Sequence, residues 1–164
     1  MRNLSLALIL AFAAQTTWAQ QQSNPKKSKA AQAFETVFER SLGQESPTYL
    51  EMMDYYRRLS AAYPGVMRLV ELGSSDANYP LHALLLSLEG NLDADQWEAK
   101  GSLVVLINNG IHPGEPDGID ASMMLVRDAA MGRQKLPANT VLVVIPCFNI
   151  GGMLQRSAYH RVDQ

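Results

Sequence analysis

The chain has 164 residues, 47% of them hydrophobic, which is enough for a single globular domain with a buried core. Its formal net charge of −2 gives no reason to expect nucleic acid or an anionic membrane as a partner. Cys147 is the only cysteine, which excludes an internal disulfide bond. Because Cys147 adjoins an apolar strand, we predict a small buried residue there rather than a nucleophile.

Residues 1–19 have the layout of a secretory signal peptide. Met1-Arg2 gives a basic start, Leu4 to Ala14 is an apolar core, and Thr17 and Ala19 are small residues suited to cleavage after position 19. The alternative, an N-terminal membrane anchor, needs about 20 apolar residues, and this run is roughly half as long. We therefore predict an exported protein, periplasmic or secreted, with no stable membrane anchor once the signal is removed.

Residues 20–44 are predicted to form a linker and a short helix. The linker, 20–29, is polar and contains few apolar side chains. Ala30 to Leu42 then places apolar residues at helical spacing, which predicts a short amphipathic helix.

The chain from residue 45 onwards predicts an α/β domain. Thr48 followed by Glu51 is a capping-box pattern at the start of a helix. Leu103 to Asn108 is apolar without alternation, which predicts a strand buried on both faces. The elements in chain order are a helix at 49–62, strands at 66–72, 81–88 and 103–108, a helix at 118–130 and a strand at 140–146. This order predicts an α/β fold with a mixed, partly parallel sheet flanked by helices.

The most informative segment follows the strand at 103–108. It reads Asn-Gly-Ile-His-Pro-Gly-Glu, so that His112 and Glu115 lie three residues apart on a tight turn. A Pro-Gly pair between them folds the backbone so that both side chains can face one point. Zinc takes nitrogen and oxygen ligands at about 2.0–2.2 Å, and hydrolytic zinc sites commonly combine two His with one Glu. His112 and Glu115 are therefore candidate zinc ligands.

A plainer interpretation stays open for both residues. His112 could be an ordinary turn residue, and Glu115 could cap the following helix or place a carboxylate in its first turn. The context favours the metal site, because open α/β sheets carry their sites at the ends of strands. His82 lies within a predicted strand, where a packed or half-exposed histidine is the better interpretation.

Residues 45–164 resemble the N-terminal part of the catalytic domain of the zinc metallocarboxypeptidases, the carboxypeptidase A-like family. The segment 108–120 looks like the family's first metal-binding segment, which reads His-x-x-Glu after a central strand. The segment 146–152 is similar to one written Asn-Pro-Asp-Gly in many members, from which Ile150 and Gly151 depart. Three earlier segments resemble the family's opening helix and first two strands: 48–64, 66–75 and 80–84.

The resemblance implies which parts of the site lie in this chain. It implies His112 and Glu115 as ligands of Zn2+, with a second His ligand further downstream. The family's Asn-Arg pair, substrate-capping Tyr and catalytic Glu also lie downstream. Two ligands from one turn seldom hold zinc firmly without a third, so we expect this chain alone to bind zinc weakly and to be inactive.

The family also has an Arg that polarises the scissile carbonyl, and it follows the segment at 146–152. Arg161 is the better match by order, and Arg156 is the other candidate. A solvated loop arginine is the alternative for either residue. His160 adjoins Arg161, but the family's second His ligand follows a later strand.

The predicted function is an exported zinc-dependent metallocarboxypeptidase that hydrolyses C-terminal peptide bonds through a zinc-activated water. Its substrate would be a peptide with a free C-terminal carboxylate. Two alternatives stay open: a zinc-dependent amide deacylase or cell-wall peptide amidase on the same scaffold, and a non-catalytic exported binding module. Carboxylate-binding residues downstream would distinguish the carboxypeptidase from the deacylase or amidase. A zinc titration would distinguish the binding module from both enzymes.

Overall fold

A computed structural model of the protein describes residues 32–112 and 114–157. The chain divides into two compact units, Met1–Ala33 and Phe34–Gln164, and the second contains the predicted α/β domain. The predicted signal peptide and the linker at 20–29 lie outside the described residues.

The second unit contains four helices and four strands among its described residues. The helices are α1 (Val37–Arg40), α2 (Tyr49–Ala62), α3 (Asp117–Ala130) and α4 (Ile150–Leu154). The strands are β1 (Met67–Ser74), β2 (Pro80–Leu86), β3 (Leu103–Asn108) and β4 (Thr140–Ile145), and a short 3-10 helix (Ala94–Gln96) lies between β2 and β3.

Helix α2 begins where its capping box predicts. The Thr48 side chain accepts a hydrogen bond from the backbone N–H of Glu51, and the Glu51 carboxylate accepts one from the backbone N–H of Thr48 at 2.8 Å. These two reciprocal bonds satisfy backbone donors that have no partner inside the helix.

The single helix predicted over Ala30 to Leu42 is wrong. Helix α1 covers only four residues, because Thr36 is extended at φ −76° and ψ 166° and starts a new helix at Val37. The Thr36 side chain and the Glu39 side chain form a second capping box there. The apolar spacing of this region is therefore not carried by one continuous helix.

The four strands form one mixed sheet in the order β1-β2-β4-β3. β1 pairs with β2 and β2 with β4 in antiparallel fashion, whereas β3 and β4 are parallel, from Leu103 opposite Thr140 to Asn108 opposite Ile145. The connection between the two parallel strands contains α3, as parallel pairing requires a crossover. The predicted mixed, partly parallel α/β sheet is confirmed.

The hydrophobic core lies on one face of the sheet. Helices α2 and α3 pack against that face with fully buried side chains such as Met52, Leu59 and Val126. From the strands, Leu84 and Val144 point into the same core. Burial of this kind contributes about 1.5–3 kcal/mol for each large apolar side chain.

The other face of the sheet is partly open, and β3 departs from its prediction. This face carries a cavity of about 440 Å³ between the sheet and the segment at 92–97. In the part of the chain that the structure describes, β3 pairs on one side only, and Leu103 and Leu106 are 55% and 61% exposed. The prediction that β3 is buried on both faces is therefore wrong for the described chain, because Leu103 and Leu106 lie on opposite faces of the strand and both are exposed.

No helix in 32–112 or 114–157 is long and apolar enough to cross a membrane.

Candidate metal centre at the ends of β3 and β4

Main-chain hydrogen bonds continue beyond the ends of the two parallel strands. The N–H of Asn109 donates to the carbonyl of Ile145 at 3.2 Å, and the N–H of Phe148 donates to the carbonyl of Asn109 at 2.8 Å. The N–H of Asn149 then donates to the carbonyl of Gly110 at 3.0 Å. The segments that follow β3 and β4 are therefore held side by side up to the start of the candidate metal-binding turn.

The turn itself is built on Gly110. This residue has φ +59°, a left-handed conformation that glycine adopts without steric cost. The chain then reaches His112 and folds back, so that the N–H of Glu115 donates to the carbonyl of His112 at 3.3 Å. The two candidate ligands thus bracket one hydrogen-bonded turn, with His112 exposed and Glu115 half-buried. Pro113, between them, is outside the described residues.

Glu115 does not occupy the position that the plainer interpretation gave it. Helix α3 begins at Asp117, and its N-cap is Pro116, so Glu115 lies before the first turn of the helix. The acidic residues of that first turn are Asp117 and Asp120. Glu115 is therefore neither the N-cap residue of α3 nor a residue of its first turn.

Asn109 connects the strand end to the helix behind the turn. Its side-chain nitrogen donates to the hydroxyl of Ser122 at 3.0 Å, and both residues are buried. A Cβ on Gly118 would lie 2.8 Å from the Asn109 side-chain oxygen, so the helix approaches closely only because residue 118 has no side chain. This role of Asn109 was not predicted from the sequence, although small residues at 118 and 122, one helical turn apart, are a signal for such an approach.

Asn149 performs a similar task at the end of β4. Its side-chain oxygen accepts from the N–H of Gly152 at 2.8 Å and caps α4. Its side-chain nitrogen lies 3.5 Å from the carbonyl of Ile111, within the candidate metal-binding turn. This asparagine belongs to the segment that resembles Asn-Pro-Asp-Gly, so its capping role tolerates the departures at Ile150 and Gly151.

A small recess adjoins the turn. It has a volume of about 300 Å³ and is lined by Ser46, Gly114, Pro116, Arg156 and Ser157. Arg156 donates from one guanidinium nitrogen to the carbonyls of Ser46 and Pro47, at 3.3 and 3.0 Å. Arg156 therefore holds the loop before α2. His160 and Arg161 lie outside the described residues.

His112 and Glu115 lie at the two ends of one main-chain hydrogen-bonded turn, whereas His82 lies apart from them on β2. In 32–112 and 114–157, no three side chains of His, Cys, Asp or Glu are close enough together to hold a metal ion. His82 lies on β2, and its Nδ1 is 2.9 Å from the carbonyl of Pro80. An imidazole and a carboxylate on one turn are donor types that suit zinc, so the residues present fit part of a zinc site.

The sequence and the fold of this chain are similar to those of known proteins. The sequence profile of a family described as zinc carboxypeptidase matches residues 52–162. The crystal structure of thrombin activatable fibrinolysis inhibitor is 21% identical, with a TM-score of 0.55, over 66% of this chain and 26% of that protein. Carboxypeptidase A from Helicoverpa armigera is also 21% identical, with a TM-score of 0.57, over 66% of this chain and 26% of that one.

A third solved structure has the same fold. The bovine thrombin-activatable fibrinolysis inhibitor, in complex with tick carboxypeptidase inhibitor, is 19% identical, with a TM-score of 0.57, over 71% of this chain and 36% of that one. The chain thus spans between 26% and 36% of the length of these three structures. No curated protein matches the chain.

Proposed function

This chain belongs to the zinc carboxypeptidase family, and on that premise we propose that its parent protein is an exported metallocarboxypeptidase. The substrate is a peptide with a free C-terminal carboxylate, and the bond hydrolysed is the last peptide bond. The observation that carries the proposal is the hydrogen-bonded turn after β3, whose two ends are His112 and Glu115.

In this proposal His112 and Glu115 hold Zn2+ together with at least one further ligand. Zinc, when bound, supplies a Lewis acid that polarises a carbonyl and activates a water molecule. The turn itself supplies one neutral imidazole and one carboxylate, which leaves the ion with net positive charge. Arg161 is proposed to stabilise the oxyanion that develops on the scissile carbonyl.

The proposal is tested on the full-length protein with a panel of blocked dipeptides. We expect release of the C-terminal amino acid, loss of that release with a chelator, and its return when zinc is added back. Matched substrates whose C-terminal carboxylate is amidated should be poor, because they lack the anionic group that defines a carboxypeptidase substrate.

Two other outcomes identify the alternatives. Preferential cleavage of N-acyl amino acids or of cell-wall peptides would indicate an amide hydrolase on the same scaffold. Absence of both zinc and turnover in the full-length protein would indicate a binding module and contradict the proposed activity.

Export is the second part of the proposal. It is supported by the basic start, apolar core and small residues at Thr17 and Ala19. Mass spectrometry of the protein from its native host should find an N-terminus near Gln20. An intact Met1 on the cytoplasmic protein would contradict export without bearing on the hydrolase activity.

A further inference from the structure

A buried carboxylate lies in the first turn of the helix that follows the candidate metal-binding turn. Asp120 is in the first turn of α3 and is only 3% exposed. Removing a carboxylate from water costs several kcal/mol, unless hydrogen bonds and positive charge offset the lost hydration. The neighbours of Asp120 therefore indicate what this charged group does.

Those neighbours are Ser46 and Arg156. The hydroxyl of Ser46 donates to Oδ2 of Asp120, and the carbonyl of Ser46 accepts from Nη2 of Arg156. Burial raises the pKa of Asp120, while the hydrogen bond from Ser46 and the positive charge of Arg156 oppose that rise. Ser46 thus stands between an acidic and a basic side chain and contacts both.

Two atoms of this cluster are buried and have no hydrogen-bond partner among the described residues: Oδ1 of Asp120 and Nη1 of Arg156. The first is an acceptor and the second a donor, so they are chemically complementary. Buried polar groups in folded proteins nearly always pair with protein or ordered water. Both residues already contact Ser46, so the two atoms belong to one buried polar cluster.

The cluster also borders the turn. Ser46 and Arg156 line the recess of about 300 Å³ together with Gly114 and Pro116, the two neighbours of Glu115 in the sequence. Ser46, Arg156 and the two sequence neighbours of Glu115 therefore face the same recess.

We propose that Ser46, Asp120 and Arg156 act as one positioning unit, which fixes the turn that carries His112 and Glu115. The unit connects three separate parts of the chain: the loop before α2, the first turn of α3, and the segment after α4. The effect of this unit on zinc affinity rests on the proposed carboxypeptidase function. The effect of the unit on the turn is independent of that function.

The direct test is amide hydrogen exchange in the zinc-free, full-length protein. The reporters are the amides of Glu115 and Asp120, which donate to the carbonyls of His112 and Pro116. Asp120→Asn and Arg156→Gln should each accelerate their exchange by about tenfold, because each loosens the turn locally. The double variant should exchange about as fast as the faster single variant, because residues of one unit are not additive.

Asp128→Asn is the matched control. Asp128 lies on the same helix and pairs with Arg127 and Arg133, far along α3 from the turn. Whatever the effect of Asp128→Asn on thermal stability, it should leave the hydrogen-exchange rates of the Glu115 and Asp120 amides unchanged. If Asp120→Asn unfolds the protein, Ser46→Ala decides the question, since it removes only one hydroxyl.

Unchanged exchange in Asp120→Asn or Ser46→Ala would overturn the proposal, and so would additive effects in the double variant. In the zinc-loaded protein, the same substitutions should weaken zinc binding by about tenfold, as loss of groups that orient ligands generally does. They should also shift the visible spectrum of the cobalt-loaded protein, which a purely global loss of stability would not. If the wild-type protein does not bind zinc, the proposed function is wrong. The hydrogen-exchange result would still decide whether the three residues position the turn.

Discussion

A Cβ atom on Gly110 would lie 2.9 Å from the Sγ of Cys147 and 3.2 Å from the Cδ1 of Ile119. Gly110 therefore meets two constraints at once: a left-handed backbone, and close packing against Cys147, the second residue after β4. The buried thiol of Cys147 lies beneath the start of the candidate metal-binding turn, and its Sγ is 3.8 Å from the carbonyl of Gly110.

Gly110→Ala should therefore destabilise the protein by about 2–4 kcal/mol, from left-handed strain plus overpacking. Gly132→Ala is the matched control, because Gly132 has φ +71° and a Cβ added there would have nothing within 4 Å. That control should lose only about 1 kcal/mol, from backbone strain alone. Urea denaturation of both variants measures the difference, and equal losses would show that the contact with Cys147 is unimportant.

Cys147 should also make stability depend on alkaline pH. Burial raises the pKa of its thiol to about 11. The unfolded thiol ionises at a lower pH, near 8.5, so a rising pH favours the unfolded state until the folded thiol also ionises. Relative to Cys147→Ala, the wild type should lose about 3 kcal/mol between roughly pH 8.5 and 11, with no further relative loss above that. Parallel pH profiles of the two proteins would contradict the raised pKa.

His112→Ala and Glu115→Ala should each strip most of the zinc from the full-length protein and abolish hydrolysis. Each removes a proposed ligand, and two remaining ligands seldom hold zinc firmly. Elemental analysis after dialysis measures the metal content. His82→Ala is the control, because His82 lies on β2 and contacts the carbonyl of Pro80. Full zinc occupancy in His112→Ala would eliminate that residue as a ligand.

The open edge of β3 should make the isolated chain associate. An exposed apolar strand edge presents unpaired main-chain groups to other molecules. Leu106→Lys on β3 should therefore shift sedimentation towards the monomer. Leu50→Lys is the control, since Leu50 is 67% exposed but lies on helix α2. Similar effects of both substitutions would indicate general hydrophobicity rather than the strand edge as the cause.

The parts of the fold that local sequence determines were predictable. Thr48 and Glu51 identify the start of α2, because a capping box involves only neighbouring residues. The parallel pairing of β3 and β4 followed from two apolar runs separated by a helix. The helix predicted over 30–42 failed because Thr36 forms a competing cap inside an apolar pattern.

Other features depend on contacts between distant residues, which periodicity does not reveal. The apolar pattern of β3 indicates that its side chains favour burial, but it does not identify the residues that would cover them. The buried cluster around Asp120 joins residue 46 to residues 120 and 156, and nothing in the local sequence marks that connection. By contrast, the His-x-x-Glu spacing predicted the turn correctly, because its geometry is local.

The hydrogen bonds beyond β3 and β4 have a consequence for which substitutions this chain can accept beside the candidate metal-binding turn. They join main-chain groups of Asn109, Phe148 and Asn149 to carbonyl oxygens across the strand ends. Every residue except proline has such an N–H group, so drift in most side chains at these positions leaves the connection intact. The location of the candidate metal-binding turn on the sheet thus depends on main-chain groups, and the three solved structures share the fold at 19–21% identity.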